Sequence, residues 1–247
     1  MNREQWEIVA EQVIDLLEGG YFHPNMFNDG RLSTQYQAIY SQSGETMYGL
    51  DRHAGHDLFY STPRKSSSVQ SNLAYIPGYA YKTDAARQFW TLIDQANAAD
   101  TWQWNYKGGT LGPQLRKLAA QIMYTTWQRY SNLYLNPQAR QIVEKDPGLM
   151  LNFAWATWNG PGFFKYYADR INTKVNAGTT DPATLNADTI SARLNSQYST
   201  IRNGGQKLKD YLLSVKYRDL ASRYAAPAAG GLAILALFFL TYKLINR

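Results

Sequence analysis

Cysteine is absent from all 247 residues of the chain. That excludes a disulfide framework and any thiolate metal site. Histidine is nearly as scarce, at three residues. His53-x-x-His56 with Asp51 and Asp57 suggests a metal cluster, yet no further ligand stands at a fixed spacing, so neither a metal nor another cofactor is expected. Gly108-Gly109-Thr110-Leu111-Gly112 lacks the lysine of a phosphate loop and reads as a turn. The polar start Met1-Asn2-Arg3-Glu4 has no signal-peptide core. There is no internal repeat and no helix-turn-helix or RNA-binding signature. The net charge of +6 is dispersed. It suits an acidic partner such as phospholipid or an anionic cell wall, and not nucleic acid.

What the chain does have is helical periodicity. Trp6, Val9, Ala10, Val13, Ile14 and Leu17 form one apolar stripe over residues 2–17, with Asn2 and Gln5 as a capping box. This helix stops at Glu18-Gly19-Gly20-Tyr21. Glu18 sits one turn after Ile14, at the edge of the stripe and at the negative end of the helix dipole. Both the dipole and partial burial favour its protonated form, which is what a general acid needs. The alternative for a helix-terminal glutamate is simple solvation.

Downstream, Asn28-Asp29-Gly30 is a turn and residues 58–82 read as irregular, with short strands around Leu73–Ile76. Asp84 is expected to cap a helix to Ala98. Pro113 should start a long helix with Leu115, Leu118, Ala119, Ile122, Met123, Trp127 and Tyr130 inward. Further helices are expected from Pro137, Gly148 and Pro161. Thr179–Pro182 reads as a loop, residues 188–202 as a helix, and Asn203-Gly204-Gly205 as a break before a basic helix from residue 206. The aromatic fraction of 14% can stack on sugars or fill a helical core. The same alternatives apply to Trp102-Gln103-Trp104.

Glu18-Gly19-Gly20-Tyr21 together with Gly44-Glu45-Thr46-Met47-Tyr48-Gly49-Leu50 resembles the phage-type lysozymes of glycoside hydrolase family 108. Trp155-Ala156-Thr157-Trp158-Asn159-Gly160 resembles that family's asparagine-glycine element. The resemblance implies an α+β, mainly α-helical lysozyme-like domain that cleaves peptidoglycan glycan strands. It implies Glu18 as catalytic acid, Thr46 in the hairpin opposite, and substrate contacts from Tyr21, Tyr48, Gly49 and Asn159. The chain departs from the family pattern in three places. The Glu18–Thr46 gap is long, at 27 residues; Ser43 replaces the first glycine, and Asp51 stands where a threonine would follow.

Glycoside hydrolysis also requires a group that stabilises the oxocarbenium-like centre or activates water. Glu45, beside Thr46, is the best-placed candidate on sequence, or else an exposed hairpin carboxylate. Asp51 is expected to pair with Arg52, and Asp29 to serve the turn. A lytic transglycosylase needs no second carboxylate, so both chemistries stay open.

Tyr224 to Tyr242 is an uncharged run of 19 residues. It has the length of a transmembrane helix with tyrosines at its ends, and a buried terminal core helix is the alternative. Lys207, Lys209, Lys216, Arg218 and Arg223 precede it, against Lys243 and Arg247 after it. The charge bias places the large N-terminal part on the cytoplasmic side, where no wall lies. A lysozyme so anchored fits a phage whose virion contains a membrane, with peptidoglycan, a virion or host inner membrane and other virion proteins as partners. The expected layout is a lysozyme-like domain at 1–178, a helical connector with a basic juxtamembrane segment at 179–223, and a C-terminal transmembrane helix at 224–242. The rival readings are a non-catalytic, glycan-binding virion membrane protein and a pore-forming lysis protein.

Overall fold

The computed structural model describes residues 1–18, 46–52, 56–61, 80–98 and 109–225. They divide into two compact units, Met1–Leu17 with Tyr124 onward, and Glu18–Met123.

In the first unit, short polar caps and prolines set the helix starts. Asn136 accepts from the Ala139 amide at 2.7 Å and opens α5, Pro137–Lys145. Asp146 accepts from Leu149 at 2.7 Å and opens α6, Pro147–Trp158. Gly160, at φ +91°, precedes Pro161 of α7, Pro161–Asn176. Asp181 accepts from Ala183 and Thr184 and opens α8, Pro182–Leu194. Each proline falls at a first-turn position that needs no N–H, behind a residue that can leave the helical region. Ser199–Leu212 (α9) and Val215–Ala225 (α10) follow. The N-terminal helix, Arg3–Leu17 (α1), has its capping box: Gln5 N donates to Asn2 Oδ1 at 2.9 Å and Asn2 N to Gln5 Oε1 at 3.3 Å.

Helix α6 is the axis of this unit. Every residue from Gly148 to Thr157 is buried, as expected of a helix that is apolar on all sides. It packs against α1, α5, α7, α8 and α10. Trp6 of α1 stacks on Trp127 and Trp158, at 5.8 and 6.2 Å between ring centroids. Residues 182–225 form three helices, α8, α9 and α10, that contribute buried side chains to this core.

The second unit holds a hairpin of β1 (Thr46–Met47) and β2 (Leu50–Asp51), a short α2 (His56–Phe59), α3 (Asp84–Ala98) and a 3₁₀ turn at Gly109–Leu111. Helix α4, Gly112–Tyr134, begins here and carries the chain into the first unit. The cap of α3 is Thr83, whose hydroxyl accepts from the Ala86 amide at 3.1 Å, one residue ahead of the expected Asp84. All seven residues predicted to face inward on α4 are buried. Tyr60 and Tyr81 form an antiparallel bridge, with Ser61 N to Ala80 O at 2.9 Å, bringing the two ends of the intervening stretch together.

Three expectations need correction. The α+β class gives way to an almost wholly helical architecture: 80% of the described residues are helical, against two strands of two residues each. The hairpin is too short to form a layer. The C-terminal transmembrane helix is likewise not found: among the described residues no helix is long and apolar enough to cross a membrane. The last described helix, α10, carries Arg218, Asp219 and Arg223, and residues 226–242 of the expected span lie outside the described residues. Finally, Asn203-Gly204-Gly205 does not break the chain but lies inside α9. A side chain at Gly204 would overlap the indole of Trp155, and one at Gly205 would press on Arg193 Cβ. Close helix approach, not a turn, is what these glycines provide.

Candidate functional site

Glu18 follows the last residue of α1, is half-buried, and opens the second unit. The hairpin belongs to the same unit. Its turn is Tyr48-Gly49, with φ of +53° and +71°. Positive φ at both central residues matches the strand twist of a two-residue hairpin. A non-glycine residue held there must be secured elsewhere. Tyr48 is: its ring is 1% exposed and its hydroxyl donates to the Gly112 carbonyl at 3.3 Å. Tyr48, expected to contact substrate, is placed here as a buried anchor of the turn. Gly49 is exposed.

This turn sets Thr46 directly opposite Asp51, and the Thr46 hydroxyl donates to Asp51 Oδ1. Burial raises the Asp51 carboxyl above its ordinary pKa, partly offset by the threonine hydrogen bond. The sequence pairs Asp51 with Arg52; the structure sends Arg52 to α3. Its guanidinium forks onto Asp94 at 2.6 and 2.9 Å, lies 4.9 Å over the Trp90 ring, and reaches the Tyr60 hydroxyl at 3.4 Å. Arg52 is 6% exposed. It thus fixes the residue beside Asp51 to the helix scaffold by a planar, bidentate contact.

The other expected site residues fall elsewhere. Glu45, Tyr21, Asp29 and His53 lie outside the described residues. Asn159 belongs to the first unit, where its side-chain amide donates to the Trp155 carbonyl at 2.8 Å and closes α6. Among the described residues, no three histidine, aspartate or glutamate side chains gather as a metal site.

The Thr46–Asp51 pair has a readable signal. In Thr46-Met47-Tyr48-Gly49-Leu50-Asp51 a two-residue turn at Tyr-Gly places the first and last residues opposite each other. A second polar cluster has none. In the first unit Arg193, 0% exposed, lies between the rings of Trp155 and Tyr167, 4.1 and 4.2 Å from their centroids. Its Nε donates to Asn152 Oδ1 at 3.0 Å and its Nη2 to the Asn152 carbonyl at 2.7 Å. Asn152 in turn donates to Asn186 at 2.5 Å. Burial lowers the Arg193 pKa to about 10, so it remains a cation at neutral pH.

No protein-family model, no curated protein and no solved structure matches the chain.

Proposed function

We propose that the chain cleaves the glycan strands of peptidoglycan, with Glu18 as general acid and Asp51 as the second carboxyl group. The observation that supports this reading best is the Thr46–Asp51 pair, held across a hairpin in the compact unit that Glu18 begins. Glu18 would give its proton to the leaving glycosidic oxygen as the bond to the anomeric carbon breaks. Asp51 would take a proton from the water that adds to that carbon. A carboxylate whose proton affinity is raised by burial is the stronger general base, and a threonine hydroxyl fixes its orientation. Penetration of the wall by a phage, or lysis at the end of infection, is the setting that the family resemblance suggests.

The test is the full chain on purified peptidoglycan, as wild type, Glu18→Gln and Asp51→Asn, with products identified by mass. Solubilisation should fall by about 10²-fold or more in both variants, the scale of a lost acid or base, and wild-type products should carry reducing ends. An Asp51→Asn variant that stays active and releases anhydro-sugars would transfer the attack to the sugar's own hydroxyl and remove Asp51 from the chemistry. Full activity of Glu18→Gln would defeat the proposal.

A further inference from the structure

Helices α7 and α8 and the turn after α8 enclose a pocket of about 620 Å³, within the size range of small-ligand clefts. Its walls are unlike the interior. Tyr166 and Tyr198 are 49% and 54% exposed, although both are large aromatic side chains. Phe163 meets Tyr198 edge to face at 6.1 Å, so the two aromatics brace each other. Beside these rings the lining combines Gly162 and Ala192 with amide and hydroxyl groups, Asn195, Gln197 and neighbouring serines, and Asn195 Nδ2 donates to Ser191 Oγ at 3.4 Å. The cation in the wall, Arg170, is held by Asp188 through two contacts of 2.9 and 3.0 Å.

We propose that this pocket binds a short glycan bearing N-acetylated pyranose rings. A pyranose has flat C–H faces that lie on exposed aromatic rings, while its hydroxyls need donors and acceptors at the ring edge. Tyr166 and Tyr198 supply faces with polar tips. Gln197 supplies an amide that pairs in both directions, as an acetamido group requires, and Asn195 supplies a second whose Nδ2 also donates to Ser191 Oγ. An acyl chain would strip water from the Gln197 amide and return no hydrogen bond. A polyanion would find one cation, already engaged by Asp188. The pocket lies wholly within the first unit, whereas Glu18 and the hairpin belong to the second. It is proposed as a holding site, built from residues other than those of the chemistry. The choice of an N-acetylated sugar rests on the peptidoglycan reading; the saccharide class rests on the pocket.

The experiment titrates the full chain with the β-1,4-linked trimer of N-acetylglucosamine, and in parallel with maltotriose, by calorimetry and saturation-transfer NMR. The variants are Tyr166→Ala, Tyr198→Ala and Glu18→Gln. The aminosugar trimer should bind saturably and more tightly than maltotriose. Each tyrosine variant should weaken it by about three- to tenfold, the worth of one aromatic contact, with thermal unfolding lowered only slightly because about half of each side chain already faces solvent. Glu18→Gln should bind as wild type does, so catalysis can fail while this site stands. Equal affinity for maltotriose would overturn the acetamido assignment. The absence of saturable binding, or binding untouched by both tyrosine variants, would overturn the site.

Discussion

Gly204 presents a bare Cα to the indole of Trp155, so closely that a Cβ there would overlap the ring. The contact joins α9 to the axial helix α6 and explains a glycine in mid-helix. Gly→Ala inside a helix ordinarily stabilises by roughly 0.5–1 kcal/mol. Gly204→Ala should do the opposite and destabilise by about 1–3 kcal/mol, the range for forcing atoms into a packed core. Urea midpoints would show it. Gly162→Ala is the control, because nothing lies within 4 Å of a Cβ there; it should be neutral or mildly stabilising. A stabilised Gly204→Ala would mean that α9 and α6 can separate at little cost.

Arg193 separates the role of shape from that of charge. It fills a slot between two rings and donates twice to Asn152, while its Nη1 has no hydrogen-bond partner among the described residues. Lysine preserves the charge but has neither the plane nor the fork. Arg193→Lys should therefore cost nearly as much as Arg193→Ala, about 3 kcal/mol or more from lost packing and an unsatisfied Asn152. Arg193→Met should be the mildest of the three, since a buried cation replaced by an apolar chain of similar volume is often tolerated. Denaturant titrations rank the three. A near-native Arg193→Lys would show that charge, not planarity, holds the slot.

How much of this is legible in the sequence depends on the range of the interaction. The starts at Pro137 and Pro161, the Asn2–Gln5 capping box and the inward face of α4 follow from residues within a turn or two of each other, and they stand where the periodicity puts them. Pro182 reads as loop in the sequence, although Asp181 caps it into a helix. Gly204-Gly205 reads as a break because a close-packing glycine and a turn glycine look alike until the partner ring is seen. Adjacency assigns Asp51 to Arg52, yet in a hairpin neighbours point to opposite faces and the cross-strand residue is the true partner. The Arg193–Asn152–Asn186 network rests on hydrogen bonds between residues 41 and 34 positions apart, and nothing local announces it.

Asp146 gives the fold a pH signature. It caps α6 from a buried position, and burial pushes its pKa up to about 6, with Asp181 acting in the same direction and the Leu149 and Gly148 amides opposing. An unfolded aspartate titrates near 3.9. The folded chain thus holds this proton over about pH 4–6 while the unfolded chain releases it. Stability contributed here is full below about pH 4 and is lost as pH rises to about 6, amounting to roughly 2–3 kcal/mol at 1.36 kcal/mol per unit. Asparagine caps a helix as well as aspartate does and carries no charge to bury. Asp146→Asn should therefore match or exceed wild-type stability at pH 7, with the difference shrinking toward pH 4. Thermal unfolding across that range measures it. A variant clearly less stable at pH 7 would show that the ionised cap is needed.

The remaining prediction concerns the clamp beside the hairpin. Asp94 is 44% exposed on its side chain, so its ion pair with Arg52 contributes about 1 kcal/mol or less through charge alone. Geometry is the larger effect. A forked guanidinium stacked on Trp90 fixes the strand end in two directions, and Asp51 is the next residue back along that strand. Arg52→Lys keeps the charge and loses the fork. The hairpin should loosen, admit water to Asp51, and let its raised carboxyl pKa fall toward the ordinary aspartate value. Carboxyl-carbon NMR titration of Asp51 reads this directly, without any assumption about substrate. Asp94→Asn should shift the titration less, because Arg52 keeps its place over Trp90. If Arg52→Lys leaves the Asp51 titration where it is, the Tyr48–Gly112 anchor alone holds the hairpin, and Arg52 positions nothing at the site.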